Sequence, residues 1–215
     1  MSPPSDSRLL VLHGLRLKGV APTEAVADAV GLGRAEVESH LVALAADGLA
    51  SHRDGRFAGW TLTPAGRSTH EALLSREADA NAVRPAVEGA YGRFRQLNPD
   101  VLDVCSRWQV RQVGGRPVRN DHTDHRYDEA VVDDLAAIHG DARPVCDRLA
   151  GALDRYRPYG PRLAHAVERV RAGETDYFAK PLIPSYHTVW FELHEDLLAT
   201  LGIDRAAEAR LEGAP

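Results

Sequence analysis

The sequence has no run approaching about eighteen consecutive apolar residues, so no membrane-spanning helix is expected. Its opening stretch, MSPPSDSRLL, lacks a basic segment followed by an apolar one. No secretory signal is therefore expected, and the expected location is the cytoplasm. Cysteine is scarce. Cys105 and Cys146 stand alone, form no Cys-x-x-Cys pair and read as free, mostly buried thiols rather than a disulfide. Lysine is equally scarce: of the 26 basic residues only Lys18 and Lys180 are lysine, a bias that carries no functional conclusion. The glycine-rich and nucleophile-bearing signatures of common enzymes are also missing. There is no Gly-x-Ser-x-Gly, no Gly-x-x-x-x-Gly-Lys-Ser/Thr and no Gly-x-Gly-x-x-Gly. Carboxylates are plentiful, but on helices such groups are usually solvated. The expectation is a protein that is not an enzyme and holds no cofactor.

What is present fits an ordinary globular chain: 215 residues, 44% hydrophobic and 27% charged, without internal repeats or low-complexity segments. That length accommodates one large domain or two small ones. The net charge of −5 is unevenly spread. Residues 1–70 balance seven basic side chains (Arg8, Arg16, Lys18, Arg34, Arg53, Arg56, Arg67) against seven acidic ones (Asp6, Glu24, Asp28, Glu36, Glu38, Asp47, Asp54), so all of the excess lies in residues 71–215.

Helical spacing opens the chain. In RLLVLHGLRLK, residues 8–18, Leu9, Leu12 and Leu15 share a face. GVAP breaks that helix, and Thr23 is the expected N-cap of TEAVADAV. A third helix, RAEVESHLVALAADG, aligns Val37, Leu41, Leu44 and Ala45 and stops at Gly48. The period then changes. Asp54-Gly55 between two short runs, the second through Phe57, Trp60 and Leu62, predicts a hairpin, and Pro64 predicts the start of another helix. Helix, helix, helix, hairpin, helix is the layout of a winged helix-turn-helix. The stretch LVALAADGLASHRDGRFAGWTLTPAGR resembles the third helix and wing of MarR-like proteins, with Leu62, Thr63, Gly66 and Arg67 matching their Leu-Thr-x-x-Gly-Arg motif. The resemblance covers about residues 8–75 and implies a dimeric DNA-binding fold.

On that reading the candidate DNA contacts are Arg34, Ser39 and His40 on the third helix, and Arg53 and Arg56 beside the wing turn. Arg34 has the reach to bond guanine bidentately. Against DNA binding stand Glu36 and Glu38 on the same helix, and a neutral domain where phosphate neutralisation calls for a basic one.

From about residue 71 onward the pattern is helical, and several helices of ten to twenty residues imply a bundle. VGGRPVRNDHTDH reads as a loop from its Gly-Gly and Pro, and ETDYFAKPLIPS as irregular. YDEAVVDDLAAIHGDARPVCDRLAGAL reads as one long helix or two joined near Gly140. In SYHTVWFELHEDLL, residues 185–198, Tyr186, Val189, Trp190, Leu193 and Leu197 form one apolar stripe, and His187, Phe191, His194 and Leu198 the next. Glu192, Glu195 and Asp196 are expected on the solvated side. His187 and His194 lie about 10 Å apart along the axis, too far to share a metal unaided. The cluster NDHTDHRYDE admits three readings: a helix cap at Thr123 or Asp124, a zinc site completed by a distant histidine, or the mouth of a ligand pocket.

NDHTDHRYDEAV and SYHTVWFELHEDLL together resemble a helical region that follows a winged helix in actinobacterial regulator-like proteins, and that also forms the tail of some short pyruvate phosphate dikinase-like chains. This implies a winged-helix-plus-bundle module without kinase activity. The expected protein is mainly α. It has a winged helix-turn-helix at residues 1–75 and a helical ligand-binding and dimerisation domain at residues 76–215. Its expected partners are double-stranded DNA, a second copy of itself and a small-molecule effector, with no membrane. His122, Tyr127, His187, Trp190 and His194 are the candidate ligand-binding residues, and no metal site is assigned. The rival expectation is a winged-helix interaction module that regulates a partner protein or enzyme without touching DNA.

Overall fold

A computed structural model describes residues 2–55, 58–80, 82–204 and 208. The protein is mainly helical, with two small antiparallel sheets among the described residues. The elements run α1 (Ser7–Lys18), α2 (Thr23–Val30), α3 (Arg34–Ala46), β1 (Ala50–Arg53), β2 (Gly59–Leu62), α4 (Pro64–Ala80), α5 (Arg84–Gln109), β3 (Val110–Val113), β4 (Arg116–Arg119) and α6 (His125–Ala152). A 3-10 turn (Asp154–Tyr156), α7 (Tyr159–Arg171), α8 (Asp176–Ala179) and α9 (Tyr186–Leu201) follow. Among the described residues no helix is long and apolar enough to cross a membrane.

The chain divides into two compact units. The first gathers residues 1–84, 153–155 and 195–215, and the second residues 85–152 and 156–194. The sequence pattern suggests one boundary near residue 75. The chain instead returns twice to the first unit, once at the 3-10 turn and once in the last half of α9.

In the first unit the apolar face of each helix goes where its spacing directs it. Val11, Leu12 and Leu15 of α1, Val26 of α2, and Val37, Leu41 and Leu44 of α3 form one core with Ala21, Ala50 and Leu62. Each fully buried leucine contributes about 1.5–3 kcal/mol. Asp6 caps α1 by accepting from the Leu9 amide at 3.1 Å. At α2 the expected cap fails: Pro22 is the N-cap residue, no side chain caps the helix, and Thr23 is its first residue. The reason lies one step earlier. Ala21 is drawn into a two-way backbone pairing with Trp60 of β2 (3.0 and 2.8 Å), which fixes where the chain turns into α2. β1 and β2 pair antiparallel from Ala50–Leu62 to Arg53–Gly59.

The Leu-Thr-x-x-Gly-Arg segment has a physical explanation. Leu62 is buried. The Thr63 hydroxyl donates to the Gly48 carbonyl at 2.7 Å and accepts from the Gly66 amide at 3.0 Å, joining the end of α3 to the start of α4. A Cβ at Gly66 would lie 1.9 Å from the Leu49 carbonyl oxygen, so only glycine fits there. Arg67 is exposed.

In the second unit α5 runs unbroken through Pro99, and α6 runs unbroken through Gly140 and Pro144. α7 packs on α6 and on the short α8, a helix inside a stretch expected to be irregular. Val101, Val104, Cys105 and Trp108 lie on the buried side of α5, whereas Leu102 and Gln109 are exposed. The segment expected to be a loop, VGGRPVR, is largely a hairpin: β3 and β4 pair across a Gly114-Gly115 turn in which both residues have positive φ. Gly-Gly supplies a hairpin turn as readily as a loop, because both central residues need φ > 0.

Gly66→Ala should destabilise the protein by about 3 kcal/mol, because the new methyl meets backbone that cannot move aside without breaking the Thr63 bridge. Urea unfolding at equilibrium measures this. An unchanged midpoint would mean that Leu49 and Gly66 do not approach as described.

Candidate functional site

Three groups of side chains carry chemistry: the outer face of α3 with the β1–β2 hairpin, a buried polar network in the first unit, and the aromatic and histidine groupings of the second.

α3 is held by Val37, Leu41 and Leu44, all fully buried, so its opposite face is presented outward. Ala35, Ser39, Val42, Ala43 and Ala46 occupy the middle of that face and are exposed, Val42 at 58%. Glu36 and Glu38 flank it, also exposed. Arg34 lies at the N-terminal edge, where its guanidinium pairs with Glu24 of α2 at 3.0 Å. His40 is half-buried, towards the core side. Arg53 is exposed at the end of β1, beside His52, whose ring packs edge-on to Trp60 and meets the Asp54 carboxylate at 3.3 Å. Arg56 lies outside the described residues. Arg34 and Ser39 are thus both exposed on α3 but about 140° apart around its axis, and the cation is already matched by a carboxylate.

The buried network is not anticipated by the sequence pattern. Asp196, on the half of α9 that belongs to the first unit, is fully buried. One carboxylate oxygen meets His13 Nε2 at 2.9 Å; the other accepts from Arg155 and, at 3.1 Å, from the Thr200 hydroxyl. Arg155 is satisfied on three sides: its Nε donates to Glu77 at 3.0 Å, one terminal nitrogen to Asp196 and the other to Thr200 at 2.6 Å. On the far side of His13, Nδ1 lies 3.1 Å from His70 Nε2, and the rings stack with centroids 5.3 Å apart. Glu195, next to Asp196, is buried and pairs with Arg16 at 3.0 Å. The expectation that Glu192, Glu195 and Asp196 face solvent is therefore wrong. Glu192, in the second unit, is also buried and pairs with Arg162 at 2.6 Å. Each acid has an arginine that sequence spacing does not reveal. Phe191, on the neighbouring stripe, is 44% exposed instead.

Charge and proton positions in this network follow from its geometry. Burial alone would raise the Asp196 carboxyl, but Arg155 and His13 outweigh it and hold the group below the usual carboxylate range. A carboxylate only accepts, so His13 donates through Nε2. One proton then lies between His13 Nδ1 and His70 Nε2, while His70 Nδ1 has no hydrogen-bond partner among the described residues. Burial first, then the neighbouring His13, lowers the His70 imidazole to about 2, so it stays neutral. The chain of groups can order protons, but nothing in it is exposed to a substrate. Its work is to tie α1, α4, the 3-10 turn and α9 together.

In the second unit the sequence-derived ligand residues fall into different groupings. His122 packs on Trp108 (centroids 4.5 Å apart), Trp108 stacks on Phe178 at 4.3 Å, and His122 Nδ1 meets Asp128 at 3.0 Å. Tyr127 donates its hydroxyl to the Arg107 carbonyl at 3.0 Å. Trp190 is buried, stacks on Phe94 at 4.3 Å and donates its indole N–H to Asn98 at 3.0 Å. His194 packs on the same Phe94 ring. His187 is half-buried, and burial lowers its imidazole. The NDHTDH segment caps α6, with the Asp124 carboxylate accepting from the Tyr127 amide at 3.2 Å. Among the described residues no group of three or more His, Cys, Asp or Glu side chains is placed to hold a metal ion. Cys105 and Cys146 are free and buried, and burial pushes both thiols up to about 12. No protein-family model, curated protein or solved structure matches the chain.

Asp196→Ala should cost about 3–5 kcal/mol, because it leaves Arg155 buried beside an absent partner. Urea unfolding tests this, and a loss below about 1 kcal/mol, the range of exposed pairs, would contradict the burial described. A second expectation concerns pH. The folded value of His70, about 2, lies below its unfolded value of 6.5. As pH falls below about 6.5 the unfolded chain takes up the proton and the folded one does not, so stability is full above that pH and declines on acidification. Asp196 acts in the same direction at lower pH: its contribution is present above about pH 4 and is lost as pH falls through its folded value. His139 and His187 are also lowered by burial, so the readout is a difference between proteins. Between about pH 7 and pH 5 the stability of His70→Gln should change less than that of the wild type, by up to about 1 kcal/mol per pH unit. Parallel curves would mean that His70 titrates normally.

Proposed function

We propose that the chain is a DNA-binding transcriptional regulator, with a winged helix-turn-helix in its first unit and an effector-responsive helical part following it in sequence. The observation that carries this reading is the arrangement of the first unit. Three helices are followed by an antiparallel hairpin, Ala21 between α1 and α2 pairs with Trp60 of that hairpin, and α3 presents a bare outer face. In a winged helix the third helix enters the major groove and the hairpin flanks it. The small side chains of Ala35, Ser39, Ala43 and Ala46 let the backbone of α3 approach base edges closely, and exposed arginines stand at the start of α3 (Arg34) and at the end of β1 (Arg53). The regulator acts as a cytoplasmic homodimer, so that two copies of α3 address a pseudo-palindromic site. An effector bound in the helical part, at one of the separate groupings that hold His122 or Trp190 and His194, shifts DNA affinity by the difference in its own affinity for the free and bound forms. No catalytic step is assigned.

A second reading has its own observation. Arg34 is paired with Glu24, Glu36 and Glu38 are exposed, and Val42 is uncovered in the middle of α3. An apolar face with acidic flanks suits a protein partner better than phosphates, so on this reading the first unit docks on a regulated protein.

Fluorescence anisotropy with the DNA upstream of the protein's own gene, against a scrambled duplex and across a salt series, separates the two. The expected result is tight binding that prefers the upstream sequence, weakens steeply with salt and loses about 1–3 kcal/mol in Arg34→Ala. Absence of duplex binding even at low salt would sink the first reading and leave the second.

A further inference from the structure

Binding DNA through α3 leaves a question of charge. Phosphate contacts supply most of the affinity of such proteins, and α3 offers one arginine already paired with a carboxylate. The ribbon between α5 and α6 has the opposite character. No acidic residue lies between Val110 and Arg119, in a chain of net charge −5, and the same stretch holds Arg111, Arg116 and Arg119. Arg111 is anchored at the base by Asp121 and Asp124, at 3.6 and 3.3 Å. Arg116 and Arg119 are exposed and make no side-chain hydrogen bond or ion pair among the described residues.

The ribbon's surroundings say what kind of partner fits it. Apart from Arg111, every residue of β3, the turn and β4 is exposed. The register pairs Val110 with Arg119, Arg111 with Val118, and Val113 with Arg116. Paired residues share a face and successive residues alternate, so each face carries both arginine and valine. Val110, Val113 and Val118 are 42%, 50% and 44% exposed. A flat partner would cover one face and leave the valine and arginine of the other in water. A groove covers both at once. The major groove of duplex DNA has the width of a two-stranded ribbon, walls of phosphate for arginine, and thymine methyl groups for apolar contact. The tip, Gly114-Gly115, carries no side chain and so can pass between the walls.

We infer that the β3–β4 ribbon is a second DNA contact, which enters a groove of the duplex with Arg116 and Arg119 on the phosphates. This rests on the proposed DNA binding and supplies cations that α3 lacks.

The test uses the full chain, labelled duplexes of the upstream and scrambled sequences, and a salt series. Arg116→Ala/Arg119→Ala is compared with the wild type, with Arg116→Lys/Arg119→Lys and with Arg34→Ala, and a thermal melt confirms that each variant is folded. Removing two phosphate contacts should make the log–log salt slope shallower by about 2 and weaken binding roughly tenfold to a hundredfold at low salt, for both duplexes alike. The lysine variant should recover most of the slope, because phosphate contact needs the charge rather than the fork. Arg34→Ala should instead lower the preference for the upstream sequence. If the double alanine variant binds DNA with the wild-type slope, the ribbon is not a contact and the regulator reading survives. If the wild type binds no duplex at low salt, both fall. If polyglutamate binds in an Arg116- and Arg119-dependent way and duplex does not, the ribbon takes an acidic protein, and the inference is wrong.

Discussion

A carboxylate with no access to water organises the first unit. Asp196 is charged, fully buried and surrounded by groups from widely separated parts of the chain: His13 of α1, Arg155 of the 3-10 turn and Thr200 of α9 itself. An isolated charge in that position is prohibitive, so its partners must be present together for the fold to exist. Arg155 extends the demand to Glu77, and His13 extends it to His70, both on α4. The network thus specifies which segments belong together. It requires residues 153–155 and the end of α9 to join a unit that otherwise closes near residue 84. Replacing it by matched apolar groups could leave stability unchanged, but removing one member strands the others.

That constraint bears on function through α1 and α4. α1 packs against α2, α3, α4 and β2, and α4 packs against β2 as well as α1. The elements that present α3 and the hairpin are therefore the same ones that the network clamps from within. A rigid support suits a surface that must match a partner in register, because disorder in the support would have to be frozen out on binding. Polar groups kept for such specificity are known elsewhere, and the role assigned to them here is open to the same mutational tests as any buried pair.

Much of the first unit is legible in the sequence because its signals are local. Apolar spacing marks α1 and α3, Asp54-Gly55 and Trp60 mark the hairpin, and Pro64 marks the start of α4. The Thr63 bridge and the Gly66 contact explain why that short motif reads so clearly. What is not legible depends on partners remote in sequence. Acids on a helix default to solvent, and nothing near Glu192, Glu195 or Asp196 announces Arg162, Arg16 or Arg155. A signal does exist: His13 sits among Leu9, Leu12 and Leu15 on the apolar face of α1, where a polar group needs a partner. The β3–β4 ribbon is hidden differently. Its strands are four residues each, alternation is hard to see over so short a run, and Gly-Gly with Pro117 points to a loop. The candidate effector residues stand out by composition, but Trp190 and His194 share Phe94 while His122 lies on Trp108, a division that spacing cannot show.

The distribution of unmatched charge decides how the two readings of α3 should be weighed. A helix whose outward face is small, nearly apolar and edged by glutamates gains little from phosphates, and taken alone it argues for a protein partner. Such a helix can still read DNA if cations elsewhere provide the attraction and leave it to supply shape and hydrogen bonds, because positioning on the backbone and sequence readout are separable roles. Arg116 and Arg119 suit the positioning role, since they are exposed, unpaired among the described residues and mounted on a ribbon free of acids. On that division of labour the neutrality of residues 1–70 stops being evidence against DNA binding. It becomes a reason to expect weak attraction from α3 alone, with a salt dependence that originates in Arg116 and Arg119. Arg116 beside the glycine tip and Arg119 at the base of the ribbon put a cation on each of its faces, an arrangement that two walls of phosphate can meet at once.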